Sequence, residues 1–162
     1  MQITFRPPTQ DDLDGMLHVE QSCFEPEERL SEDEFVDLIN HVAKTTVIAD
    51  IDGEVAGMII GRTTSENLLN NDSYSKDLDQ KPNDKYVGIL GLAVSPDHQG
   101  KGIATKLLAQ LEELTKQTGL SGLILDCRER LIPFYEKHGF GLVGRSNSNF
   151  GGIEWFGMQK NM

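Results

Sequence analysis

Residues Leu92 to Leu108 read LAVSPDHQGKGIATKLL, and the fold of the chain is decided in this stretch. An apolar run ends at Val94 and meets Ser95-Pro96-Asp97, a turn signal. Gln99-Gly100-Lys101-Gly102-Ile103-Ala104 then leads into a helix over Gly102 to Thr118. Its apolar positions Ile103, Leu107, Leu108, Leu111 and Leu114 fall on one face. The first backbone N–H groups of such a helix lack internal partners and carry the positive end of its dipole. Two glycines leave the backbone bare, Ala104 is small and Lys101 adds a charge. The stretch therefore predicts a loop that holds phosphate on main-chain amides. Two other phosphate-binding patterns do not fit. A Walker loop needs Gly-Lys followed by Ser or Thr, and Lys101 is followed by Gly102. A dinucleotide fingerprint needs a third glycine, and Thr105 stands three positions after Gly102.

Upstream, Ile3 and Phe5 alternate with polar neighbours and read as a first strand before Pro7-Pro8. Thr9 opens a helix with Leu13, Met16, Leu17 and Cys23-Phe24 as its apolar stripe. Ser31 with Glu34 is a capping box for a second helix carrying Phe35, Leu38 and Ile39. Thr45 to Ile51 and Glu54 to Thr64 flank Asp52-Gly53, a hairpin signal. Residues 65–84 are polar, with Leu68, Leu69, Tyr74 and Leu78 as anchors, and a loop of this length is functional or mobile. Tyr86 to Val94 is a strand. Downstream, Leu123-Ile124-Leu125 reads as a buried strand, Leu131 to His138 as a short helix closed by Gly139, and Phe140 to Gln159 as two further strands.

At 162 residues the chain is expected to form a single domain, 1–162. Its net charge of −11 argues against a nucleic-acid or anionic-membrane partner. The charge is uneven. Residues 1–84 hold 19 acids and 6 bases, whereas residues 85–162 hold 7 acids and 9 bases, so an anion is better received by the second half. No stretch approaches the ~18 apolar residues of a membrane helix, and the first ten residues lack a signal-peptide pattern. Cys23 and Cys127 read as two separate thiols in a reducing compartment. A cytoplasmic protein is expected. The histidines His18, His41, His98 and His138 have no metal-ligand spacing, so no metal is expected.

At Gln99, Gly102 and Ala104, preceded by a strand ending in Val-Ser-Pro, the sequence resembles the acetyl-coenzyme A loop of the GNAT superfamily of N-acetyltransferases. A second stretch, LIPFYEKHGF from Leu131 to Phe140, is similar to that superfamily's next motif: a short helix with a Tyr, three residues, then Gly-Phe. The order of elements over nearly the whole chain matches too. CRERLIPFYEKHGF (Cys127–Phe140) and VAGMIIG (Val55–Gly61) further resemble the aralkylamine (serotonin) N-acetyltransferase branch. The resemblance implies an α/β (α+β) fold: a mixed, mostly antiparallel sheet of about six to seven strands, splayed in the middle and flanked by about four helices. It places the splay between Tyr86–Ser95 and Gly122–Asp126. It also implies acetyl transfer from acetyl-CoA to a primary amine by direct attack in a ternary complex.

The resemblance implies residue roles as well. Main-chain groups of Leu92 and Val94 would bond the pantetheine arm, and an amide at Leu92 or Ala93 the oxyanion. Amides of Gln99, Gly100, Lys101, Gly102, Ile103 and Ala104 would hold the pyrophosphate, with Thr105 adding a hydroxyl and Phe134 lining the cofactor site. Tyr135 would give a proton to the departing sulfur, since a phenol pKa of ~10 is near a thiol's ~8.5. An amine with a pKa of ~10.4 is only about one part in 2,500 neutral at pH 7, a cost of about 4.6 kcal/mol, so a base is needed. In the aralkylamine branch two strand histidines do this. Gly88 and Leu90 occupy those positions here, leaving Glu20, Glu25, Glu28, His41 and Glu154 as candidates. Phe24, Pro26 and Trp155 are candidates for the acceptor pocket. The acceptor is expected to be a small, cationic amine, and the protein a monomer or homodimer. Two alternatives stay open: a protein N-terminal or lysine acetyltransferase, and a catalytically poor acyl-CoA sensor. Acyl transfer through Cys127 would need an activating partner for its thiol.

Overall fold

The computed structural model describes residues 2–162. Among them, seven strands form one sheet: β1 (Ile3–Arg6), β2 (Thr46–Ile51), β3 (Glu54–Thr64), β4 (Tyr86–Val94), β5 (Gly122–Cys127), β6 (Gly141–Arg145) and β7 (Phe156–Asn161). They lie in the order β1-β2-β3-β4-β5-β7-β6, antiparallel throughout except for β4 beside β5. Four α-helices flank the sheet: α1 (Leu13–Cys23), α2 (Glu32–Val42), α3 (Ile103–Gln117) and α4 (Ile132–Lys137). This is the expected architecture. No helix among the described residues is long and apolar enough to cross a membrane.

Local chemistry explains most element boundaries. Ser31 Oγ accepts from the Glu34 N–H at 3.1 Å while Glu34 Oε1 accepts from the Ser31 N–H at 2.9 Å, the reciprocal cap that starts α2. Asp52 and Gly53 take φ of 54° and 86°, so the β2–β3 turn has the left-handed pair that suits strand twist. In α3 the buried stripe ends on Thr115 rather than Leu114, which is only partly covered. Thr115 can be buried because its hydroxyl donates to the Leu111 carbonyl at 2.8 Å. In α1 the deepest residues are Met16, Val19 and Glu20, with Leu13, Leu17 and Cys23 only partly covered. Spacings of three and four from Met16 put a carboxylate on the inner face, a departure from the surface location expected for an acid.

The sheet separates two cores. α3 and α4 cover one face, where Ile59, Ile89, Leu107, Leu123 and Leu125 pack. α1, α2 and the 65–85 segment cover the other, around Met16, Phe35, Met58, Leu69 and Ile124. The polar segment is thus folded onto the sheet, with Leu69, Tyr74 and Leu78 buried as its anchors. Arg62 on β3 holds it from below. Its buried guanidinium donates to the carbonyls of Thr63 (3.0 Å), Ser73 (3.1 Å), Lys76 (2.6 Å) and Asp77.

The feature that positions the site is where β4 leaves β5. They pair in parallel only from Tyr86↔Gly122 to Ile89↔Leu125. Immediately beyond, Ile60 faces Gly91 while Gly61 faces Ile89, so Leu90 is an extra residue in β4. Such a bulge bends its strand. β4 then follows β3 to Val94, while β5 follows β7 to Cys127, and the two diverge. Replacing Arg62 with Met should lower stability by roughly 1.5–3 kcal/mol, since a buried charged donor leaves four carbonyls, most of them part-buried. Denaturant unfolding would measure this, and hydrogen exchange should accelerate first in residues 65–85. Unchanged exchange there would mean that the apolar anchors alone hold the segment.

Candidate active site

The loop after β4 is built as its sequence suggests, with one change of reason. Ser95 N–H donates to the Ala56 carbonyl at 2.8 Å, Pro96–His98 forms a 3-10 turn, and Gly102 caps α3. Gly100 and Gly102 have φ of 80° and 77°, and a Cβ at either would meet nothing within 4 Å. Glycine is required here for the left-handed backbone rather than for space. The geometry leaves the N–H groups at the start of α3 directed out of the helix.

Side chains brace this loop. Gln99 Nε2 donates to the Val94 carbonyl at 3.0 Å, and Cys23 Sγ of α1 donates to the same oxygen at 3.2 Å. Lys101 Nζ lies 3.2 Å from His98 Nδ1. Thr105 Oγ1 is 2.9 Å from His138 Nε2, while His138 Nδ1 is 2.8 Å from the Phe134 carbonyl. A carbonyl only accepts, so Nδ1 carries a proton, and in the neutral ring the Thr105 hydroxyl donates to Nε2. His138 thereby ties α4 to the start of α3.

Because Ser95 N–H turns toward β3, strand alternation directs the polar groups of Ala93 toward β3 as well. Those of Leu92 and Val94 face the opening. The Val94 carbonyl is already doubly engaged, which leaves its N–H and both groups of Leu92 for a ligand lying along the strand. A groove runs here, lined by Leu92, Ala93, Val94, His98, Gln99, Gly100, Gly102, Ile103, Ala104, Thr105, Leu131 and Phe134. Of the residues expected at the cofactor, Lys101 alone is not in its wall; it is exposed at the loop tip.

At Leu92–Val94 the groove meets a cavity of about 260 Å³ set between the parted strands. Its walls bring together Glu20, Cys23 and Phe24 from α1 and its end, Glu28, Tyr74, Leu90, Asp126, Cys127, Arg128, Tyr135 and Trp155. Phe24 and Trp155, two of the three residues expected at an acceptor pocket, both line this cavity. Pro26 is outside, exposed at the first position of the 3-10 turn whose last residue, Glu28, reaches the cavity.

The structure also sorts the five candidate bases. His41 is exposed and 2.7 Å from Asp79, Glu154 is exposed and 2.8 Å from Arg145, and Glu25 is exposed. None of these lines the cavity. Glu28 does, but it is ion-paired with Arg128, another residue of the wall. Glu20 is 4% exposed, with Oε2 accepting from the Leu30 N–H at 2.9 Å. Burial pushes its carboxyl up to about 7, against the smaller opposing effect of that hydrogen bond.

On the α4 side, Tyr135 is 7% exposed, with its ring edge-to-face against Phe134 at 5.1 Å and Phe140 at 5.6 Å. Burial, and secondarily Cys127, push its phenol above the ordinary range, so it remains protonated at neutral pH. Burial, then Asp126, push the Cys127 thiol up to about 11. It is a poor nucleophile there. Asp126 and Tyr74 were not read from the sequence as site residues. An acid ending the apolar run Leu123-Ile124-Leu125 is the signal for the first, and Tyr74 carries none beyond its place among polar neighbours. Burial raises the pKa of both, and Asp126 adds to the effect on Tyr74.

Comparison with known proteins agrees with this geometry. A curated relative, the uncharacterized N-acetyltransferase YjcF of Bacillus subtilis (strain 168), is 28% identical over 78 residues. That match takes in 48% of this chain and 56% of YjcF. Among solved structures, the loading GNATL domain of CurA from Lyngbya majuscula superposes with a TM-score of 0.87 at 14% identity, over 99% of this chain and 98% of that one. The PaiA N-acetyltransferase of Thermoplasma acidophilum, in complex with coenzyme A, gives 0.75 at 18% identity over the full length of both chains. At these identities the structural likeness is one of fold. The family model of the Acetyltransferase (GNAT) family matches residues 13–140, which span α1, α2, the loop after β4 and the Tyr135 helix, and the chain belongs to that family.

Proposed function

We propose that residues 1–162 form one cytoplasmic acetyltransferase domain that moves the acetyl group of acetyl-CoA to a small primary amine by direct attack in a ternary complex. The observation that carries this reading is the continuity of the groove with the cavity. A loop suited to phosphate opens onto a strand edge that leads to a partly open cavity with Tyr135 on one wall and Glu20 on another. At about 260 Å³ the chamber is below the usual ~300–1,000 Å³ of small-molecule pockets, which favours a small acceptor over a folded protein surface. Leu90 lines it where the aralkylamine branch would place a histidine, so the base must come from elsewhere.

The pyrophosphate would sit on the amides from Gln99 to Ala104, where the helix dipole and left-handed glycines favour an anion. The pantetheine arm would pair with Leu92 and the Val94 N–H, and Leu92 N–H is the amide facing the forming oxyanion. Glu20, titrating near 7, takes the proton of the attacking amine directly or through water. Tyr135 is a weaker acid than a free phenol. Its role is a hydrogen bond from a protonated hydroxyl to the departing thiolate, which takes a proton from solvent on release while Glu20 returns the amine's proton to solvent. The shifted thiol of Cys127 supports direct attack over an acetyl-cysteine intermediate.

Thiol release from acetyl-CoA, measured over alkylamines, arylalkylamines and peptides, should depend on an added small amine. Tight acetyl-CoA binding without turnover on any acceptor would instead indicate a sensor. Tyr135→Phe should lower kcat at least about tenfold while acetyl-CoA affinity persists, the loss of one transition-state hydrogen bond.

Glu20→Gln separates chemistry from stability. In the parent, kcat/KM should rise with pH through about 7 as Glu20 ionises, and the variant should lose that limb and at least about tenfold in kcat. Stability should move the other way. The native carboxyl titrates near 7 and the unfolded one near 4.5, so the native state holds the extra proton between them and the parent loses stability as pH rises through that window. The Gln variant should therefore be more stable than the parent above pH 7, by up to about 3 kcal/mol, with the gap closing toward pH 4. Thermal unfolding at several pH values measures this.

A further inference from the structure

The hydrogen bond that ties α4 to the start of α3 has a direction, and the direction matters to an anion. His138 Nδ1 lies 2.8 Å from the Phe134 carbonyl, so that nitrogen carries a proton in either charge state of the ring. A neutral ring then offers only a lone pair at Nε2. The Thr105 hydroxyl, 2.9 Å away, directs its single hydrogen there. Thr105 is exposed in the first turn of α3 and lines the groove beside Ile103 and Ala104. With its hydrogen committed to His138, it presents lone pairs to whatever lies on the amides of Gln99–Ala104. Those lone pairs face the negative charge of a pyrophosphate.

Charged side chains reach this junction from three elements and the loop. Lys160 of β7 donates to the His138 carbonyl at 2.8 Å and to Glu112 of α3 at 2.7 Å, so its charge is matched. Glu136 and Lys137 of α4 and Lys106 of α3 are exposed sequence neighbours of His138 and Thr105. In the loop, Lys101 Nζ lies 3.2 Å from His98 Nδ1. Among the described residues His138 takes part in no ion pair, so the ring has no carboxylate of its own. The Phe134 ring, 4.5 Å away between centroids, attracts a cation at that range.

We infer that His138 is a proton-linked positioning residue for the cofactor: as the pyrophosphate binds, the ring gains a proton at Nε2 and donates it to Thr105 Oγ1, which frees the Thr105 hydrogen for a phosphate oxygen. This rests on the reading of the groove as the acetyl-CoA site and adds a residue behind its wall. The proton comes from solvent, and the Nδ1–H bond to the Phe134 carbonyl is kept in both states. The charged ring then stands one hydroxyl behind the phosphate, beside the positive end of α3. The complex holds a proton that the separate partners do not. Affinity is therefore greatest at low pH and weakens as pH rises through the range of about 5 to 8 in which imidazoles lose their charge.

Dephospho-coenzyme A is the probe, because a phosphate monoester such as the 3′-phosphate of coenzyme A itself titrates near pH ~6 and would mask the uptake. Calorimetry at neutral pH in two buffers of different ionisation enthalpy should show net proton uptake on binding. Kd should weaken about tenfold between about pH 5.5 and 8, the scale of one charged hydrogen bond. Thr105→Val should lose most of the uptake and hold the change in Kd to within about threefold, while Thr105→Ser, which keeps the hydroxyl, should retain both. His138→Gln should bind without uptake. His98→Gln, which removes the other imidazole beside the loop, should leave the uptake in place. Tight binding by the parent with no uptake would overturn the inference and leave the cofactor reading standing. Uptake that survives in His138→Gln or stays whole in Thr105→Val, or that is lost in His98→Gln, would overturn it as well. No binding of dephospho-coenzyme A or coenzyme A at any pH would remove the cofactor reading and this inference with it.

Discussion

One extra residue in a strand organises this protein. Leu90 has no partner in the β3–β4 register, and the bend it introduces ends the parallel pairing of β4 with β5 after Ile89 and Leu125. Without it the two strands would continue side by side and their polar edges would satisfy each other. With it, Leu92 and Val94 direct backbone groups into an opening, and the space between the strands becomes the cavity. The loop at Gln99–Gly102 would still start a helix, but it would have no strand edge to feed. Site and fold are the same event in the sheet.

The cavity tunes its groups mainly by withholding water. Glu20, Asp126, Cys127, Tyr74 and Tyr135 are all shifted toward their neutral forms, and burial is the leading cause in each case. The same desolvation has different consequences for different chemistries. It brings a carboxyl to near 7, within the range suited to proton exchange at neutral pH, and it leaves a thiol near 11 largely protonated. It also keeps a phenol protonated. Roles that residue types leave ambiguous are separated by depth.

The acidic excess of residues 1–84 is spread over two kinds of place. Much of it is exposed or tied into local structure: Asp12 and Asp50 both bind Arg6, and Glu34 caps α2. Glu20 and Glu28 instead face the cavity, joined by Asp126 from the other half. The near-neutral half supplies the loop and helix end suited to phosphates, so the charge asymmetry follows the division between that loop and the α1 side of the cavity.

How far the chain could be read depended on whether the governing interaction was local. The turn and helix start after β4, the α2 cap and the Asp52-Gly53 turn are set by neighbours within a few residues, and the structure matches them, as it does the α3 stripe up to Leu111. Order and periodicity of the elements, with the Gln99–Ala104 and Leu131–Phe140 motifs, were enough to identify the fold and the groove. The bulge had a faint sign in Gly91 beside it, since glycine within a strand often marks such a site. Glu20, Asp126 and Arg62 were not legible, because a charged side chain reads as a surface residue until the sequence-distant surfaces that enclose it are known. The burial of Glu20, the enclosure of Asp126 and the folding of a polar 20-residue segment onto the sheet through Arg62 are all long-range. Local sequence determined which elements form and where a phosphate is welcome. Only the tertiary structure decided which groups lose water, and with it which of them do chemistry.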